Sequence, residues 1–241
     1  MARRARSSAG GQVFHVLNRG NCRMDIFSKP GDYAAFIKIL EEGRRRTDMR
    51  VLAYCLMSSH WSRRAGSSLA ATGRDLSRFM QWISTTHVRR WREHRKKVGE
   101  GHLYQGRFKS FPVQDDHHLL TVMRYAEANP LRAKMVDNAE AWAWSSLGRG
   151  TARDGTRLEL EPWPVDKPSD WLALVNEPLG LPQLEKLRLG VNRGQPYGAV
   201  QWTRKIAKRL GLESSLRNPW RPKKEKQNQK PALATRRASS K

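Results

Sequence analysis

The sequence predicts an α+β protein: a ferredoxin-like (RRM-like) sheet with helices on one face, followed by a small helical C-terminal region. Three observations predict it. Residues 51–57 are continuously apolar over the length of one strand, the signature of a central strand covered on both faces. Two helical stripes, at residues 30–46 and 75–94, each stand between strand-like segments. The resulting order is strand, helix, strand, a degraded strand or loop, helix, strand, helix. That is two strand-helix-strand halves.

Residues 1–10 are small and basic and read as a disordered arm. Residues 12–18 then form a strand, apolar at Val13, Phe14, Val16 and Leu17, and the turn at Asn18, Arg19, Gly20 and Asn21 ends it. Pro30 opens the first helix, whose stripe is Tyr33, Phe36, Ile37 and Leu40, with Gly43 loosening its end. Residues 58–73 are small, polar and basic with neither helical nor strand period, and read as a loop or a degraded strand. Sixteen residues is long for such a loop, so the stretch is functional or replaces a lost element. Leu76, Phe79, Met80, Ile83, His87 and Trp91 line the second helix. After Gly99 and Gly101, residues 102–113 are a turn and a strand, with Arg107 and Lys109 on one face and Phe108 on the other.

The next helix is entered from Asp115 and Asp116 and stopped near Pro130. Leu119, Leu120, Val122, Met123 and Ala126 form its apolar stripe. Tyr125 and Asn129 are four residues apart, so this helix presents a phenol and an amide one above the other. His102, His117 and His118 lack ligand spacing and are read as structural, and Trp142 and Trp144 as core.

Beyond Leu147 the composition changes. Residues 148–220 are a linker and a small helical accessory region, with helical stretches at 169–175, 181–189 and 197–210. The last carries Arg204, Lys205, Lys208 and Arg209 and stops at Gly211. It suits a helix-turn-helix reader or an accessory cap equally well. Residues 221–241 hold eight Lys/Arg against one Glu and read as a disordered basic tail.

A net charge of +24 spread along 241 residues points to a polyanionic partner, and nine tryptophans among the arginines favour nucleic acid over a membrane surface. The two cysteines, Cys22 and Cys55, form no zinc or disulfide pattern. No apolar run is long enough to span a membrane, and a cytoplasmic location is expected.

Several segments in one register resemble the single-tyrosine HUH transposase family (transposase IS200-like), and in particular its branch associated with repetitive extragenic palindromes (REP). They are residues 15–21 with Ile26 and Phe27, residues 53–57 leading into His60, residues 101–110, residues 124–133, and residues 142–146. The resemblance covers residues 11–147, which it marks as a catalytic domain. It implies metal-dependent cleavage and rejoining of single-stranded DNA at hairpins, through a 5′-phosphotyrosine intermediate. Tyr125 is then the nucleophile, and a phenol of pKa near 10 needs activation. Mg²⁺ (or Mn²⁺) would be held by His60 and Asn129. Arg19, Arg107, Lys109, Arg124 and Arg132 are the candidates for holding DNA phosphates.

One part of the pattern is missing. The family carries two histidines flanking a bulky residue, and this chain has His60, Trp61 and Ser62. Ser59 replaces an expected asparagine, and Arg63 and Arg64 begin the stretch where an apolar strand is expected. A hydroxyl is a poorer ligand than imidazole, so metal binding is expected to be weakened. The stretch reads as a compensated frameshift or a decayed copy, and His15 on the neighbouring strand is a conceivable substitute ligand without a spacing argument. The alternative function is a non-catalytic hairpin-DNA binder or repressor; an RNA-binding module is disfavoured because the aromatic RNP1 pattern is absent. The resemblance leaves monomer and homodimer both open.

Overall fold

The computed structural model describes residues 11–58, 67–72, 75–99, 101–148 and 157–217. His60 and Ser62, the N-terminal arm and the basic tail lie outside the described residues. β1 (Val13–Asn18) leads through a 3-10 turn into α1 (Pro30–Thr47), then β2 (Arg50–Cys55), β3 (Ser67–Thr72), α2 (Leu76–Arg95) and β4 (Lys109–Val113). The strands form one antiparallel sheet in the order β2-β3-β1-β4. This is the ferredoxin-like arrangement that the element order predicts.

β3 decides between the two readings of this stretch, loop or degraded strand, for residues 67–72. Ser67–Thr72 is a full strand between β1 and β2, pairing His15 with Ala70 and Ala53 with Ala70 on its two sides. Its small residues gave no strand signal. Their placement follows from their neighbours, because Ala70 and Ala71 are fully buried between two hydrogen-bonded strands, where small side chains fit.

α1 and α2 cover one face of the sheet. Phe14, Val16, Val51, Tyr54, Leu69 and Ala71 point into this layer and meet Phe36, Ile37, Leu40, Phe79 and Ile83. Gly43 does not loosen α1, which continues to Thr47. It lies at the contact between the helices, where an added Cβ would come within 2.6 Å of Ile83 Cδ1. α1 is started by Asp32, whose Oδ2 accepts from the Ser28 and Lys29 N–H groups at 2.9 and 3.2 Å and from Arg95 at 2.7 Å. Burial alone would raise the Asp32 pKa, but these donors bring it below the usual carboxylate value. Trp144 stacks on Tyr33 with ring centroids 4.9 Å apart, and Trp142 donates to the Leu56 carbonyl, which makes both core residues as expected.

The opposite face is covered too. α3 (His117–Glu127), capped by Asp116, packs on it together with α5 (Trp171–Asn176) and α6 (Leu181–Arg193). Gly190 of α6 lets that helix approach Phe111 of β4, whose ring an added Cβ would meet at 3.1 Å. α7 (Val200–Leu210) buries Ile206 and Leu210 against the first layer and turns Arg204, Lys205, Lys208 and Arg209 outward. Among the described residues, no helix is long and apolar enough to cross a membrane.

Candidate active site on the α3 face

The sheet register decides what lies beneath α3. Val13, His15 and Leu17 share one face of β1, and their partners on β4 are Val113, Phe111 and Lys109. His15 is therefore central on this face, and Lys109 sits at its end. The His15 ring lies 5.1 Å from Phe111 and 6.3 Å, edge-on, from Tyr125 of α3. His15 is completely buried, and among the described residues neither ring nitrogen has a hydrogen-bond partner. Desolvation, with the nearby Arg132 charge, pushes its pKa down to about 3, so the imidazole is neutral at physiological pH.

α3 ends two residues after Tyr125. Ala128 breaks the helix, and Asn129, followed by Pro130, opens a separate turn, α4 (Asn129–Arg132). The single helix expected to run from Asp116 to Pro130 is thus two, because proline cannot continue the backbone hydrogen-bond ladder. Tyr125 and Asn129 are nevertheless brought together by Arg132. Its guanidinium carbon lies 3.9 Å from the centre of the Tyr125 ring, one N–H group donates to the Tyr125 carbonyl at 2.7 Å, and another donates to Asn129 Oδ1. Asn129 itself is buried. Arg132 is exposed as a residue, yet its guanidinium end is sheltered enough that desolvation lowers its pKa. The Arg188 charge on α6 acts in the same direction, while Tyr125 and Cys55 oppose it.

The other predicted phosphate-holding residues separate into two groups. Arg19, Arg107 and Lys109 belong to one edge, where the Asn21 N–H donates to Leu103 O at 2.8 Å and the Gln105 N–H to Arg19 O at 2.9 Å. Arg19 Nε donates to Gln105 Oε1 at 2.9 Å, and Gly106, at φ +74°, turns the chain so that Arg107 and Lys109 are exposed. Arg124 instead donates to the Glu177 carbonyl at 3.0 Å and lies 3.6 Å from its carboxylate, so it ties α3 to the segment after α5. Glu127 makes a second tie. Its carboxylate accepts from Ser146 Oγ at 2.5 Å and Trp171 Nε1 at 2.8 Å, while burial raises its pKa.

The donors gathered here can be compared with what Mg²⁺ requires. Among the described residues they are the Asn129 amide oxygen, held by Arg132, and the His15 ring. Both oxygens of Glu127 are engaged elsewhere, and a guanidinium already supplies positive charge. This set does not by itself fit a hard divalent cation, which takes oxygen ligands and usually carboxylates. A different cluster, Asp116, His117 and His118, has ligand atoms within 4.8 Å of one another and could hold a metal ion. It lies at the start of α3, roughly 12 Å from Tyr125 along the helix. The sequence reading treated these histidines as structural because adjacent positions carry no ligand periodicity.

The family model described as transposase IS200-like matches residues 10–129. A solved structure of a REP-associated tyrosine transposase bound to a REP hairpin is similar to this chain at 16% identity, with a TM-score of 0.49 over 69% of this chain and 95% of that one. No curated protein matches the chain. The strand that carries His15, the edge that carries Arg19, Arg107 and Lys109, and the helix that carries Tyr125 all fall inside the matched segment, so residues 10–129 belong to the transposase IS200-like family.

Proposed function

We propose that the protein binds single-stranded or hairpin DNA as a transposase-like protein with Tyr125 as its nucleophile. Residues 11–147 form the DNA-processing domain and residues 148–220 an accessory region docked beside it. In the reaction the Tyr125 oxygen bonds to a backbone phosphorus, the phenol proton is lost, and the leaving strand departs with a free 3′-hydroxyl. Mg²⁺ or Mn²⁺, which the resemblance implies, would polarise that phosphate through His60 and Asn129. It is expected to bind weakly, because Ser62 stands where a second histidine belongs. The observation that carries the reading is the meeting of Tyr125 and Asn129, both within the family segment, under the guanidinium of Arg132 just beyond it. Arg19, Arg107, Lys109 and Arg132 hold phosphates in this account. Arg124 has the weaker case, since Glu177 already engages it.

The second reading, a non-catalytic binder of hairpin DNA, is favoured by the hold of Arg132 on the Asn129 oxygen. An RNA-binding platform is disfavoured, because α3, α5 and α6 cover the sheet face on which bases would stack. Denaturing-gel detection of a protein–DNA adduct on hairpin DNA with Mg²⁺ tests the reading. The chain as written is expected to give little or no adduct. A chain with residues 59–66 rebuilt as histidine, apolar residue, histidine leading into β3 should give an adduct that Tyr125→Phe abolishes. Robust cleavage by the unaltered chain would contradict the incomplete metal site, and an adduct surviving Tyr125→Phe would remove the nucleophile assignment.

A further inference from the structure

α7 keeps its apolar and basic sides apart. Ile206, Ala207 and Leu210 are buried, whereas Arg204, Lys205, Lys208 and Arg209 are exposed. The helix contains no acidic residue, and among the described residues no carboxylate forms an ion pair with any of the four cations. Arg204 and Lys208 stand in one row and Lys205 and Arg209 in the next, with about 6 Å of helix rise between the members of each row. Cations this close repel one another, and a run of phosphates relieves that repulsion.

The helix is mounted on the end of β4. The Tyr197 N–H donates to the Pro112 carbonyl and the Gln114 N–H to the Tyr197 carbonyl, both at 2.9 Å, and the Ala199 N–H at the start of α7 donates to Gln114 Oε1 at 2.8 Å. Near its other end Arg209 donates to Gln12 Oε1 at 3.2 Å, and Gln12 Nε2 donates to the Val113 carbonyl at 2.7 Å. These contacts limit how α7 can meet a ligand. A recognition helix follows a turn of about three or four residues and enters a groove by its N-terminal residues. Here residues 194–199 separate α6 from α7, with Tyr197 bridged to β4, and Gln114 occupies the start of the helix. Single-strand grooves add aromatic platforms to their charge, but the basic side of α7 carries no aromatic residue, and Trp202 packs against the α1–α2 layer. A membrane surface would require the apolar side, which the core already holds. What remains is a fixed, purely cationic surface of the kind that lies along a duplex phosphate backbone.

We propose that the basic side of α7 holds the phosphate backbone of the paired stem of a hairpin without reading its sequence. The proposal rests on the hairpin-DNA reading given above and adds a stem-binding surface supplied by the accessory region.

The test is the affinity of the full chain in EDTA, across a salt series, for three DNAs: a hairpin, the same hairpin with a permuted stem sequence, and an unpaired strand of equal length. The wild type is compared with the double variant Lys205→Gln, Lys208→Gln, and Arg90→Gln serves as control. Both lysines are exposed, so the double variant is expected to keep the wild-type melting temperature. It should weaken binding of both hairpins about tenfold and flatten the slope of log affinity against log salt by up to about two units, while affinity for the unpaired strand changes less than about twofold. Unchanged hairpin affinity overturns the proposal, as does an equal loss on the unpaired strand. A loss confined to one stem sequence would also overturn it, by making α7 a reader of bases. A wild type that binds none of the three DNAs would end the underlying DNA reading and the stem surface with it.

Discussion

The two faces of the sheet treat charge differently. On the α1–α2 side three arginines are neutralised in place: Arg95 by Asp32 at 2.7 Å, Arg90 by Glu42 at 2.8 and 2.9 Å, and Arg44 by Glu41 and Glu161 at 3.1 and 3.4 Å. On the α3 side, Arg132 rests on a tyrosine and an amide, and His15 is buried with both nitrogens unpartnered among the described residues. Leaving such a group unsatisfied costs about 1–3 kcal/mol. The first face pairs its charges within the fold, and the second keeps polar groups that, among the described residues, have neutral partners or none.

Breaking the first face should have the largest effect on stability. Phe79→Ala removes a ring with no exposure from the contact of α2 with α1 and the sheet, and is expected to cost about 3–5 kcal/mol in chemical denaturation. Hairpin affinity per folded molecule should not change. A loss of affinity in the folded fraction would show that the two faces are not separable.

Acid sharpens the comparison next. The folded pKa of His15 is about 3 and that of His87 about 4, both below the ordinary 6.5. The unfolded chain therefore takes up protons first as pH falls, and stability present above pH 6.5 is lost on the way down to the folded values. The expected loss is on the order of 1 kcal/mol per histidine for each pH unit. The carboxylates with lowered pKa, Asp32, Asp116 and Glu42, act only further down, below their own ordinary values. Urea midpoints taken between about pH 7 and pH 5 should fall less steeply in His15→Phe than in the wild type. Equal slopes would place a charged or exposed imidazole at position 15.

The smallest effect belongs to the exposed pair on the first face. Arg90→Gln breaks a bidentate contact with Glu42, yet both side chains are more than 40% exposed, so at most about 1 kcal/mol is expected in the same denaturation assay. A larger loss would mean that this ion pair carries stability through neighbours beyond Glu42.

How much of this was legible depends on the range of the signal. β1, β2, α1, α2 and α3 announce themselves through local periodicity, and Tyr125 and Asn129 through a four-residue spacing that survives the break at Ala128. β3 was not legible, because alanine and serine carry no strand pattern and only the flanking β1 and β2 make residues 67–72 a strand. His15 sat in plain view on an apolar strand, but its isolation follows from what packs over it. The covering of the second sheet face by α5 and α6 is likewise a tertiary fact that composition past residue 147 does not disclose.

The central claim is that this chain recognises single-stranded or hairpin DNA through its phosphates, and the most direct test is affinity against salt in EDTA. With a net charge of +24 and basic residues on both the Arg107–Lys109 edge and the Tyr125 face, log affinity should fall linearly with log salt. For six or more phosphate contacts the loss should approach a thousandfold between about 50 and 200 mM salt. Replacing Arg107 and Lys109 together should weaken binding across many sequences and flatten the slope by up to about two units. An affinity that stays constant from low to moderate salt would contradict the account.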